Sequence, residues 1–177
     1  MASSVVTLTV NGREEEFLAR PAESLLASLR DRLGLMAAKR GCAQGSCGTC
    51  TVLVGGRPVM ACLVPVETIE GGQVSTLEGV ADGERLDEVQ QAFLDGFATQ
   101  CGFCTPGMIM AAEALLADNP DPTREEVVEA ISGNVCRCTG YHSIIAAILD
   151  AADRRKHAAG KPTDSTDRQK HAPGRRQ

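Results

Sequence analysis

All eight cysteines of this chain fall into two quartets whose spacing suits metal ligation. The first quartet is Cys42-x4-Cys47-x2-Cys50, followed by Cys62. The second is Cys101-x2-Cys104, followed by Cys136-x-Cys138. Four thiolates hold one iron–sulfur cluster, so two quartets provide for two clusters. Two redox centres in one chain point to the movement of electrons rather than to a single structural metal.

The first quartet carries the more specific signal. C-x4-C-x2-C with a distant fourth cysteine is the spacing of plant-type 2Fe–2S sites. Gly41, Gly45 and Gly48 stand among these ligands. They permit the positive φ and close backbone approach that turn several N–H groups toward cluster sulfurs. Such donors stabilise the reduced, more negative cluster and tune its potential.

Other uses of the cysteines fit less well. Met1 to Val10 has neither the charged nor the apolar region of a secretory signal, so a cytoplasmic chain is expected. The cysteines crowd into Gly-rich loops instead of spreading as disulfide staples. Zinc is a rival for the second quartet taken alone. Beside the first quartet it weakens, because C-x4-C-x2-C is not a usual zinc spacing. Inert buried thiols leave the spacing unexplained. His142, His157 and His171 are single histidines. Eight thiolates already suffice, so none of the three is expected as a ligand.

The elements that must position the quartets follow from periodicity and breakers. Val5 to Val10 is β-rich, Asn11-Gly12 is a strong hairpin turn signal, and Arg13 to Leu18 is the return strand. Pro21 is expected to open a helix with Leu25, Leu26, Leu29 and Leu33 as its apolar stripe. Thr51 to Val54, Gly55-Gly56 and Pro58 to Leu63 read as a second hairpin, which places Cys50 and Cys62 on paired strands. Val74 to Thr76 adds a last strand. A linker is expected near Leu77 to Gly83, and beyond it the pattern is helical. Leu86, Val89, Gln90, Phe93, Leu94 and Phe97 line one helix face. Thr105-Pro106 opens a second helix through Leu116, and Asn119-Pro120-Asp121-Pro122 stops it. Thr123 to Glu126 is a capping box for a third helix ending near Gly133. Thr139 caps a fourth, with Ile144, Ile145, Ile148 and Leu149 inward. Cys104 and Cys138 would then each directly precede an N-cap Thr, where helix dipoles favour thiolates.

The fold class expected is α+β: an N-terminal β-grasp plant-type ferredoxin domain followed by a C-terminal four-helix 2Fe–2S domain. Residues 1–78 form the first, 84–153 the second, and 154–177 a disordered basic tail. The tail could also dock on a partner as a basic arm. Residues 1–153 carry ten Lys or Arg against twenty-one Asp or Glu, whereas 154–177 carry eight against two. An acidic globular part argues against nucleic acid as partner. Trp is absent and aromatics make up 3% of the chain, so the cores must be aliphatic, and ligation would help to stabilise them. No apolar run reaches transmembrane length.

Three motifs in this order are highly specific: Gly41-Cys42-x4-Cys47-Gly48-x-Cys50, Gln100 to Met108 (QCGFCTPGM), and Cys136 to Tyr141 (CRCTGY). Across about residues 4–152 the chain resembles the iron–sulfur subunit of the molybdenum hydroxylases, the xanthine dehydrogenase, aldehyde oxidoreductase and carbon monoxide dehydrogenase family. The short gap from Cys50 to Cys62 also fits this family better than photosynthetic ferredoxins. The resemblance implies a complex, arranged as a dimer of heterotrimers. A large subunit holds molybdopterin and hydroxylates substrate with oxygen from water. Electrons pass through two 2Fe–2S clusters here to FAD in a medium subunit. Carried over by motif, Gln100 and Cys138 would lie nearest the pterin, and Gly45 and Ser46 would face the flavin. The chain has no dinucleotide fingerprint, so bond chemistry belongs to the partners. A free two-cluster ferredoxin and a structural zinc protein are the alternatives. Substrate identity rests with the large subunit, and purines, other N-heterocycles, aldehydes, carbon monoxide and aromatic acyl thioesters are all open.

Overall fold

The computed structural model describes residues 3–159. Its first half is a mixed five-stranded sheet in the order β2-β1-β5-β3-β4. β1 (Ser4–Val10) and β2 (Arg13–Ala19) form an antiparallel hairpin whose register runs from Ser4↔Ala19 to Val10↔Arg13. Its turn needs positive φ at both central residues, and Asn11 and Gly12 supply it at 50° and 78°. Along β1, Val6, Leu8 and Val10 alternate into the core, the period of a half-buried strand. They pack with Leu25, Leu26 and Leu29 from the helical turn beneath the sheet. Each such side chain contributes roughly 1.5–3 kcal/mol by leaving water.

That helical turn is α1 (Leu25–Ala27), which runs on as a π-helical segment over Ser28–Arg32. It opens at Ser24, whose hydroxyl accepts from Ala27 N–H, and not at Pro21 as the sequence suggested. Pro21 lies in a turn, followed by Ala22 at a φ of 56°. The i→i+5 bond from Leu33 N–H to the Ser28 carbonyl (3.1 Å) ends the segment.

β3 (Thr51–Val54) and β4 (Arg57–Met60) pair antiparallel through the Gly55-Gly56 turn. Cys50 and Cys62 are therefore not on paired strands but just past the end of the ladder. Ala61 N–H still reaches the Cys50 carbonyl at 3.3 Å, which keeps the two cysteines close. β5 (Gln73–Ser75) joins β1 in parallel and β3 antiparallel. The segment after it is tied down. Asn11 Nδ2 donates to the Thr76 hydroxyl at 2.9 Å, and Thr76 N–H donates to Asn11 Oδ1 at 2.8 Å. Glu78 accepts from Ala37 N–H at 2.7 Å.

The second half comprises α2 (Glu88–Asp95), α3 (Thr105–Asp118), α4 (Arg124–Ala130) and α5 (His142–Ala159). They enclose a separate core that includes Val89, Phe93, Met108, Ile109, Ile144 and Ile148. α3 is buried on most sides because it packs on its helical neighbours and on β3. The face expected for α2 is only partly buried. Val89, Ala92 and Phe93 are enclosed, while Leu94 and Phe97 are exposed, Phe97 at 85%. α2 ends at Gly96, and Phe97 turns away with a φ of 49°. The Thr123–Glu126 capping box is made in both directions.

α5 continues past the expected boundary at residue 153. Ion pairs hold the extra turn: Arg154 with Asp95 and Asp150, Arg155 with Asp87 and Glu113, and Lys156 with Asp121 and Asp153. These cations also complement the negative end of the helix. His157 thus sits in a helix and not in a tail. The rest of the expected tail, with His171, lies outside the described residues. No helix among the described residues is long and apolar enough to cross a membrane.

Candidate metal centres

The first site is the loop between α1 and β3, closed by Cys62 after β4. Gly45 and Gly48 adopt positive φ, at 77° and 67°, as the motif requires. Gly41 serves differently: its φ is ordinary, but a Cβ there would stand 2.7 Å from the Thr49 hydroxyl and 2.8 Å from the Cys47 sulfur. Backbone N–H groups point at sulfur. Gln44 and Ser46 N–H approach Cys42 Sγ at 3.5 Å and 3.4 Å, and the Thr49 hydroxyl lies 3.3 Å from Cys47 Sγ. The Ser46 hydroxyl, then the two N–H groups, bring the Cys42 thiol down to about 6. Burial pushes Cys50 up to about 11, with Cys62 beside it.

The second site joins two loops of the helical half. Cys104 is the N-cap of α3, one residue earlier than expected, with Pro106 in the first turn. Cys138 does not precede an N-cap, because α5 begins only at His142. Thr139 instead turns back on the loop. Its hydroxyl lies 3.1 Å from Cys136 Sγ, its N–H donates to the same sulfur at 3.5 Å, and the hydroxyl accepts from Tyr141 N–H at 3.2 Å. The Tyr141 hydroxyl accepts from Cys136 N–H at 2.9 Å. Burial opposes ionisation of Cys136, but the Thr139 hydroxyl and N–H outweigh it, and the thiol falls to about 7. Burial drives Cys104 up to about 12.

The thiols gather as pairs. Cys42 faces Cys47, and Cys50 faces Cys62. Cys101 and Cys138 sulfurs are 3.7 Å apart, and Cys104 faces Cys136. Among the described residues no three thiol, imidazole or carboxylate groups converge on the place of one metal ion. Two thiolates for each of two irons is the donor set that a 2Fe–2S cluster requires, so each quartet fits such a cluster. Each site also has an open edge. Gln100, Cys101 and Cys138 are exposed at the second, and Gln44 and Ser46 at the first. Gly45 is half-buried against Leu63. The two loops meet where Val135 N–H donates to the Cys47 carbonyl at 2.9 Å.

Sequence reasoning passed over Thr49, Asn134 and Tyr141. Thr49 and Tyr141 stand within the quoted motifs, so a search for hydroxyls next to the ligands would have found them. Asn134 is placed only by the meeting of the two halves.

The description "2Fe-2S iron-sulfur cluster binding domain" matches residues 8–94, and "2Fe-2S binding domain" matches residues 76–149. The small FeS subunit of nicotinate dehydrogenase from Eubacterium barkeri is 46% identical over 154 residues, covering 87% of this chain and 98% of that one. The iron-sulfur-binding subunit of xanthine dehydrogenase from Escherichia coli O157:H7 is 44% identical over 152 residues, covering 84% and 95%. Among solved structures, a chain of quinoline 2-oxidoreductase from Pseudomonas putida 86 superposes with a TM-score of 0.85 at 42% identity, covering 92% of this chain and all of that one.

Proposed function

The chain belongs to the iron–sulfur small subunits of the molybdenum hydroxylases, and on that footing we propose that its eight cysteines hold two 2Fe–2S clusters carrying electrons from molybdopterin in a large subunit to FAD in a medium subunit. It is an electron-transfer subunit of an oxidoreductase and not a catalyst by itself. Its relatives are subunits of larger enzymes, so the reading as a free ferredoxin shuttle falls away. The observation that carries the proposal is the presence of two sets of paired thiols on loops that touch, each site with an exposed edge.

Cys42, Cys47, Cys50 and Cys62 form the ligand set of a β-grasp domain at 1–78. Cys101, Cys104, Cys136 and Cys138 form that of a four-helix domain at 84–159, which takes in the whole of α5. The bound clusters supply one-electron oxidation and reduction. The chain's own groups hold the thiolates and meet the added negative charge: Gln44 and Ser46 N–H at Cys42, and Thr139 at Cys136. Gln100 and Cys138 form the edge toward the pterin, and Gly45 and Ser46 the edge toward the flavin. The three subunits form a dimer of heterotrimers. Cysteines kept reduced for cluster ligation suit a reducing compartment, and the complex is assigned to the cytoplasm on that ground.

The test is anaerobic purification of the chain with its co-expressed partner subunits. Four irons and four labile sulfides per chain, with two distinct paramagnetic signals on reduction, are the expected result. Zinc without labile sulfide would overturn the reading.

A further inference from the structure

The two cysteine loops touch through one short stretch of backbone. Val135 N–H donates to the Cys47 carbonyl, and Val135 is bonded to Cys136. One hydrogen bond and two adjacent residues therefore join a thiol of the first quartet to a thiol of the second. The side chain of the preceding residue, Asn134, is buried at this junction. Its Nδ2 donates to the Gly48 carbonyl at 2.9 Å and to the Thr51 hydroxyl at 3.2 Å. A carbonyl can only accept, so the amide nitrogen must face it. The Thr51 hydroxyl donates to the same carbonyl at 2.7 Å. The backbone N–H of Asn134 is tied to the Ile131 carbonyl behind α4 at 2.9 Å. Asn134 thus grips the sheet half with its side chain and the helical half with its backbone.

The junction has no slack. A Cβ on Gly48 would come within 2.3 Å of the Gly133 carbonyl, and one on Gly107 within 2.4 Å of the Gly48 carbonyl. Space filling alone does not call for an amide here. An apolar side chain of similar size would fill the volume without the desolvation that a buried amide incurs. What the amide adds is direction, since its two N–H groups fix where the Gly48–Thr51 turn sits. That turn begins one residue after Cys47.

Resting on the reading of both quartets as cluster sites, we propose that Asn134 is the positioning residue of the electron path between them. Its amide holds the Gly48–Thr51 turn so that Val135 N–H stays bonded to the Cys47 carbonyl. With clusters held at both quartets, a single electron would cross from the second site to the first along that link, with no bond made or broken and no proton moved. Tunnelling decays more slowly through bonded atoms than across a gap, so losing this hydrogen bond weakens the coupling.

The test compares the assembled complex carrying the full wild-type chain with Asn134→Leu and Thr51→Val. Iron and sulfide content comes first, followed by hydrogen exchange at Val135 N–H. The magnetic splitting between the two reduced centres and the rate of electron equilibration between them complete the set. In Asn134→Leu with both clusters present, Val135 exchange should rise about tenfold or more. The splitting should shrink and equilibration should slow several-fold. Thr51→Val, which removes one of the two acceptors, should move all three readouts the same way by less. Unchanged splitting and equilibration at full cluster content, even with a lowered Tm, would make Asn134 merely structural and overturn the proposal. If Asn134→Leu fails to retain its clusters, Thr51→Val decides: unchanged equilibration there also overturns it. A wild-type complex without iron and labile sulfide would instead overturn the underlying reading.

Discussion

Tyr141 shows how one side chain outside the ligand set can shape a site. It adopts a φ of 68°, a costly conformation for a bulky residue. Two hydrogen bonds hold it there: its N–H on Thr139 and its hydroxyl beneath Cys136 N–H. Tyr141→Phe should leave that N–H without its partner and cost about 1 kcal/mol of stability in a denaturant titration. The paramagnetic signal of the second site should shift while that of the first stays in place. Equal shifts in both signals would mean that Tyr141 acts through the whole fold.

Among elements, the contrast lies between a hairpin end and a helix end. The first site hangs on the loop before β3 and the turn after β4, so its sulfurs are set by the sheet. The second uses the start of α3 and a loop that folds back through Thr139. Each half has its own buried core, one around Leu8, Leu25 and Val52, the other around Phe93, Met108 and Ile148. Cys42→Ser should therefore remove the first cluster and loosen the sheet half, leaving the second cluster in place. Iron analysis with hydrogen exchange resolved along the chain checks this. Loss of both clusters with unchanged assembly would rule out two partly independent units.

At the scale of the whole molecule, charge and electron flow both join distant segments. Arg155 near the end of α5 bonds Glu113 of α3 and Asp87, the N-cap of α2. Burial, then the neighbouring Asp87 carboxylate, raises Glu113 from an ordinary 4.5 to about 7. Asp87 shifts the other way: burial opposes its charge, but the Glu113 hydrogen bond, the Gln90 N–H and Arg155 outweigh it. Because the folded chain holds the Glu113 proton more tightly than the unfolded chain, this stability is fully present below pH 4.5 and fades as pH rises through about 7. Asp87 works in the opposite sense and only at more acidic pH. The helical half should thus lose on the order of 2 kcal/mol between about pH 4.5 and about pH 7.5, and Glu113→Gln should flatten that slope. Urea midpoints across the window measure it, and a slope unchanged in the variant would remove Glu113 as its source. Electron flow offers a second test. Replacing Gln100 should slow cluster reduction by substrate, whereas replacing Ser46 should spare that step and slow flavin reduction. Stopped-flow spectroscopy of the complex follows the two separately. A Ser46 variant that blocks cluster reduction while flavin is reduced at the normal rate would reverse the order of carriers.

Local chemistry was legible in the sequence because it depends on neighbours a few residues apart. Spacing marked cysteines whose thiols pair in the fold, alternation marked β1, Asn11-Gly12 marked its turn, and Thr123 with Glu126 marked the start of α4. Misjudged features were ends and faces, where a distant partner decides. Pro21 yields to Ser24 as the helix start, and Thr139 bonds a thiol instead of capping α5. α5 outlasts its apolar stripe because Asp87, Asp95, Glu113 and Asp121 lie within reach of its three cations. Only tertiary structure decided which thiols pair and where the two loops meet. Asn134 and Gly48 are 86 residues apart, and no local periodicity encodes a hydrogen bond across that separation.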